Sequence, residues 1–189
     1  MDNTMIIIVV VAAIVVLAIV AAAVWAFAQK NRTEKLRSKF GPEYDRVVES
    51  EGDRRRAEKG LEGREKRIEE LNIVSLSRDD QERFAREWQQ EQARFVDDPQ
   101  AAVANADRLV IEAMRARGYP MGDFEQRAAD VSVDHAEVIE NYRIAHEIAV
   151  RDRRGEASTE DLRKALLHYR MLFEDLLEAR ATPAEVGRR

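Results

Sequence analysis

Apolar and polar positions are spread very unevenly along this chain. From Met5 to Ala28 every residue is apolar, 24 positions without Gly, Pro or charge. At 1.5 Å rise per residue such a run makes a helix of about 36 Å, against a hydrocarbon core roughly 30 Å thick. A segment crossing a bilayer alone must pair its own backbone N–H and C=O groups. The pattern therefore predicts a short tail over 1–4 and a transmembrane helix over 5–28.

The pattern changes at once behind that run. Residues 29–72 read as a basic flank and a charged helical stalk. Gly41-Pro42 predicts a break, with Pro42 in the first turn of a new helix. Beyond it Val47, Ala57, Leu61, Ile68 and Leu71 fit a heptad register, but Ser50, Arg54 and Arg64 occupy the other seam positions. So polar a seam makes a poor coiled coil, and Gly60 and Gly63 weaken a helix interior. The expectation is a solvated stalk, with self-pairing as the lesser alternative.

From residue 75 to 179 the period is helical and the punctuation regular. Leu71–Leu76 reads as an extended linker. Ser77 with Asp80 caps a helix carrying Phe84, Trp88 and Phe95 on one side, a stripe interrupted by Glu91. Asp98 and Pro99 open the next helix, whose buried face is Val103, Ala106, Val110, Ala113 and Met114, and Gly118 stops it. Asp123 with Gln126 caps a short helix. Asp134 with Glu137 predicts another start, followed by Val138, Tyr142, Ala145 and Ala149. Ser158 with Asp161 caps the last helix, striped by Leu162, Leu166, Tyr169, Phe173 and Leu176. The predicted fold class is all-α: a transmembrane helix, a charged stalk, a bundle of four main helices plus a short one over 75–179, and a disordered tail over 180–189.

Charge assigns orientation. Lys30, Arg32, Lys35, Arg37 and Lys39 follow the apolar run, opposed only by Glu34. Basic residues this close to a span collect on the cytoplasmic side, which predicts an outward N-terminus and a cytoplasmic domain. The same cluster can attract anionic headgroups, although a plain stop-transfer flank explains it as well. Ala26-Phe27-Ala28 offers an alternative, cleavage and export. The long apolar stretch, an n-region without basic residues and the basic flank oppose it. Ala18, Ala22 and Ala26 recur at a spacing that lets membrane helices approach, a weak sign of a homo-oligomer.

Composition narrows the chemistry. The absence of Cys excludes disulfides, thiol catalysis and Cys-ligated metals. A net charge of −5, with Arg54-Arg55-Arg56 balanced by Asp53 and Glu58, disfavours nucleic acid and makes that run read as a solvated face. His135 and His146 are separated by about 16 Å along a common helix and cannot share a metal, while His168 has no carboxylate one turn away. No phosphate loop, nucleophile elbow or zinc-protease pair occurs, and Asp97-Asp98 lacks the further oxygens of a calcium loop. No catalytic, metal or cofactor residue is assigned. Tyr119, Met121 and Phe124, in or beside a loop, are candidates for partner contact, with a buried inter-helix plug as the favoured alternative.

The stretches Phe40 to Glu58, Ala93 to Pro99 and Arg117 to His135 (RGYPMGDFEQRAADVSVDH) resemble a family of uncharacterised bacterial single-pass membrane proteins. The resemblance extends over nearly the whole chain after the span. Where the family pattern often has Pro after the His, this chain has Ala136. The resemblance implies a bacterial inner-membrane protein and transfers no activity. The sequence thus supports a membrane-anchored, non-catalytic protein that binds the lipid bilayer and an unidentified protein partner. The alternative is an enzyme with a His and carboxylate site between helices.

Overall fold

A computed structural model describes residues 3–178, and the expected tail over 180–189 lies outside them. Eight helices run α1 (Asn3–Phe40), α2 (Pro42–Glu51), α3 (Arg54–Glu69), α4 (Arg78–Arg94), α5 (Pro99–Arg117), α6 (Phe124–Val131), α7 (Ile139–Asp152) and α8 (Thr159–Glu178). The protein is all-helical among the described residues. Helix already begins at Asn3, inside the expected tail. Within α1 the stretch Val11–Phe40 contains an 18-residue window of mean hydropathy 2.8, long and apolar enough to cross a membrane. Val11, Ile14, Leu17, Ile19, Val24 and Phe27 are all more than half exposed, so the rest of the chain does not cover residues 11–28.

The bundle follows the apolar stripes. Helix α8 packs against both α5 and α7, and α4 packs on α5. Phe84 meets Phe173 edge-on at 6.2 Å and Trp88 stacks on it at 4.5 Å, joining α4 to α8. Glu91 does not open this face. It is buried, and Asn105 of α5 donates to it at 2.9 Å. The caps are those of the sequence: Ser77, Asp98 and Asp123 accept from Asp80, Ala101 and Gln126 backbone N–H groups, and Ser158 from that of Asp161. One start differs. Helix α7 begins at Ile139 without a side-chain cap, and Asp134 instead accepts the Tyr119 hydroxyl at 2.9 Å.

The charged stalk is helical, as expected, but it folds against the rest of the chain. Its helix is not continuous, because Gly52 turns at φ 64° and Asp53 caps a fresh helix. The heptad counted across that turn has no physical seam. Helix α2 folds back beside α1, with Arg37 donating to Asp45 at 2.8 Å, and α3 then runs alongside α1 in the same direction. Ion pairs mark that course: Arg32 with Glu62 at 2.6 Å, then Lys39 with Glu65 at 2.8 Å. Leu36, Phe40, Tyr44, Val47, Ala57, Leu61 and Ile68 are buried in the same core as the bundle residues. The apolar positions of the arm face the protein itself rather than water or a second copy.

The expected linker over 71–76 lies outside the helices, but its apolar side chains turn inward. Ile73 and Leu76 are buried, and the Val74 amide donates to the Arg117 carbonyl at 2.9 Å. Gly118 makes this crossing possible. At φ 99° it ends α5, and a Cβ there would stand 2.7 Å from the Asn72 carbonyl oxygen.

Candidate functional site

Two buried polar assemblies connect these elements. The first joins the arm to the bundle. Glu43, in the first turn of α2, has a fully buried carboxylate. It accepts from Arg46 at 2.9 and 3.1 Å, from Arg64 of α3 at 3.2 Å and from Arg143 of α7 at 3.1 Å. Burial pushes its carboxyl up, but the Arg46 hydrogen bond and the charges of Arg143, Arg46 and Arg64 outweigh that and hold it below the usual range. Arg143 also reaches Glu125 of α6 at 3.1 Å. Nearby, Arg67 of α3 pairs with buried Asp130 of α6, which also accepts from Gln126 at 3.0 Å. A further carboxylate, Glu58, accepts from Gln29, Thr33 and Tyr44 at 3.0, 2.7 and 2.9 Å. It thereby ties α1, α2 and α3 together.

The second assembly surrounds His135. Arg117 is 1% exposed; its Nε donates to the Val74 carbonyl at 3.1 Å, and its Nη1 lies 3.0 Å from His135 Nε2. A guanidinium can only donate, so Nε2 accepts and the proton sits on Nδ1, which donates to Asp175 of α8. Tyr119 packs against the ring at 6.1 Å, and burial followed by the Asp134 charge raises its phenol far above the ordinary value. Both imidazole nitrogens are therefore engaged and the residue is 3% exposed. This geometry locks the linker, α5 and α8 together, and leaves no ring nitrogen directed at a substrate.

The other histidines have separate surroundings. Phe124 stacks on His146 at 3.7 Å, and burial lowers the His146 value. His168 Nδ1 lies 2.7 Å from Asn141 Oδ1. Tyr142 and Tyr169 meet at 6.1 Å between α7 and α8. Burial, then the charge of Asp107, raises both phenols, Tyr142 to about 12. Among the described residues no group of three or more His, Asp or Glu side chains could hold a metal. Three surface grooves, of about 470, 510 and 330 Å³, are not lined by any histidine.

Of the candidate contact residues, Tyr119 is buried, while Met121 and Phe124 are partly buried against the core, the placement expected of an inter-helix plug. The basic flank is largely paired: Lys30 with Glu34, Arg32 with Glu62, Lys35 and Lys39 with Glu65, and Arg37 with Asp45. Neither Glu43 nor the His135 assembly was visible in the sequence, because each joins residues far apart along the chain. The one sequence signal was Arg117, a long cation at the end of an otherwise apolar face. No family model, curated protein or solved structure matches the chain.

Proposed function

We propose that this chain is a single-pass protein of the bacterial inner membrane, with its N-terminus outside and its helical domain in the cytoplasm, serving a non-catalytic interaction or scaffold role. The observation that carries this reading is the continuity of α1. Its apolar part is exposed from residue 11 onward, and its last turns, through Leu36 and Phe40, are part of the domain core. A domain built this way is fixed against the membrane face rather than held off on a tether. The basic flank supports the orientation. The length of the apolar run and the basic flank behind it oppose the exported alternative at Ala26-Phe27-Ala28. The enclosed His135 ring gives the enzyme alternative little support.

The chain has no Cys, so a single introduced one reports topology cleanly. Val96 is 85% exposed in the α4–α5 connection. Val96→Cys should react with a membrane-impermeant maleimide only after the inner membrane is opened, and the protein should resist carbonate extraction. Labelling in intact spheroplasts would refute the orientation, and release by carbonate would refute the anchor.

A further inference from the structure

The folding back of α2 has a consequence at the membrane surface. It returns the chain to the level where α1 leaves its apolar run, and the guanidinium of Arg55 lies over the Trp25 ring, 5.3 Å from its centroid. Here α1 and the first turn of α3 flank a groove of about 510 Å³, lined among others by Trp25, Lys30, Glu34, Arg37, Arg54 and Arg55. Four basic side chains face one acidic one. Lys30 and Arg37 already have carboxylate neighbours, Glu34 at 3.8 Å and Asp45 at 2.8 Å. Arg54 is 3.7 Å from Glu58, whose oxygens are taken by Gln29, Thr33 and Tyr44. Among the described residues no carboxylate lies within ion-pair distance of Arg55 or Arg56, and both are exposed. Asp53, the N-cap of α3, interacts with the Arg55 and Arg56 side chains through charge alone, so the basic side chains of the juxtamembrane region left without a close ion pair are at the start of α3.

Resting on the anchor reading above, we infer that this groove binds the headgroup of an anionic phospholipid in the cytoplasmic leaflet. Trp25 stands three residues before the end of the apolar run, the depth at which indole rings settle among headgroups. A lipid phosphate at that depth meets Arg54 and Arg55 from the side, with Lys30 opposite. Arginine suits it because the planar guanidinium donates two parallel hydrogen bonds to phosphate oxygens. A zwitterionic headgroup would turn its own cation toward the same basic side chains, so selectivity for net negative lipids follows from charge.

Trp25 is also the reporter. The chain has two tryptophans, and Trp88→Phe keeps an aromatic ring on Phe173 while leaving Trp25 as the only indole. The full-length variant is reconstituted in mixed bilayers of phosphatidylglycerol and phosphatidylcholine, with bromines on the acyl chains of one lipid at a time. Quenching per molecule should be stronger from brominated phosphatidylglycerol, corresponding to about fivefold enrichment beside Trp25 for each basic side chain engaged. Arg54→Gln with Arg55→Gln should abolish the excess without altering the thermal melt, and Arg163→Gln with Arg170→Gln on α8 should leave it. Equal quenching by the two lipids, or an excess that survives the Arg54 and Arg55 changes, overturns the headgroup site while the anchor stands. Absence of quenching by either lipid overturns the anchor itself.

Discussion

Phe173 in the bundle and Glu43 in the arm are buried to nearly the same degree, 1% and 2% exposed, yet they hold their regions by opposite means. Phe173 contributes area and ring contacts with Phe84 and Trp88, and requires nothing of its neighbours beyond shape. Glu43 is retained because three arginines from three helices converge on it. Burial of a lone carboxylate is costly, and burial with several good partners offsets that cost without a large surplus. The bundle is stabilised mainly by hydrophobic packing, whereas the arm combines its share of the same apolar core with a buried cluster of paired charge. The two regions should therefore respond differently to mutation, acid and salt.

The largest effect is expected in the bundle. Phe173→Ala removes a ring from between two aromatic neighbours and should cost about 3–5 kcal/mol. Urea unfolding of the detergent-solubilised full chain should lose its midpoint cooperatively, arm included, because both regions share one core. Survival of α2 and α3 after the bundle melts would break the comparison.

Glu43→Gln comes next. It leaves Arg46, Arg64 and Arg143 facing each other around a neutral amide, and should cost about 2–4 kcal/mol, less than a sealed pair because the arginines can turn partly to water. The loss should be local: hydrogen exchange should quicken in α2 and α3 while α5 and α8 stay protected. Acid should act the same way. The folded carboxyl is held below the ordinary glutamate value of 4.5. Its contribution is fully present above that pH and declines as pH falls toward the folded value, because the unfolded chain takes up the proton first. Wild-type α2 exchange should thus accelerate below about pH 4.5, while Glu43→Gln flattens that dependence.

These two residues also explain what could be read from the sequence. Phe173 sits in a stripe with Leu162, Leu166, Tyr169 and Leu176, and the caps at Ser77, Asp98, Asp123 and Ser158 are local signals between near neighbours. Local periodicity specifies such features, and the bundle was legible for that reason. Asp134 has the spacing of a cap and the wrong role, because a tertiary partner, Tyr119, takes its carboxylate. The arm differs for a related reason. Leu61 and Ile68 have heptad spacing, but spacing does not say what covers them, and here the cover is α1, α2 and the bundle. Buried Glu43, Glu58 and Asp130 looked like the other acidic residues of a charged helix. Only long-range pairing distinguishes them.

Gly118→Ala tests the crossing between the two regions and should rank third. The alanine would have to hold φ near 99° and place a methyl 2.7 Å from the Asn72 carbonyl oxygen. The backbone strain alone costs about 1–2 kcal/mol, and the contact must also be relieved by shifting the linker. A thermal melt should show a loss of about 2 kcal/mol or more. Because Val74 and Arg117 are bonded at the same place, the linker amides should lose exchange protection first.

The smallest expected effect is a gain, and it bears on whether helix propensity matters in the arm at all. Gly60 lies in the interior of α3 with an ordinary helical backbone, and a Cβ there would meet no atom within 4 Å. Gly60→Ala removes backbone freedom from the unfolded chain without adding a contact, and should stabilise by about 0.5–1 kcal/mol. If the arm is held by paired charge on a marginal helix, that gain should appear as slower exchange in α3 and should partly rescue Glu43→Gln. If packing by Leu61 and Ile68 alone keeps α3 in place, the alanine should raise the global melt slightly and leave the acid sensitivity of Glu43→Gln and wild type unchanged relative to each other. Exchange measured on the double variant separates the two outcomes, since the sites share no side-chain contact and their effects should otherwise add.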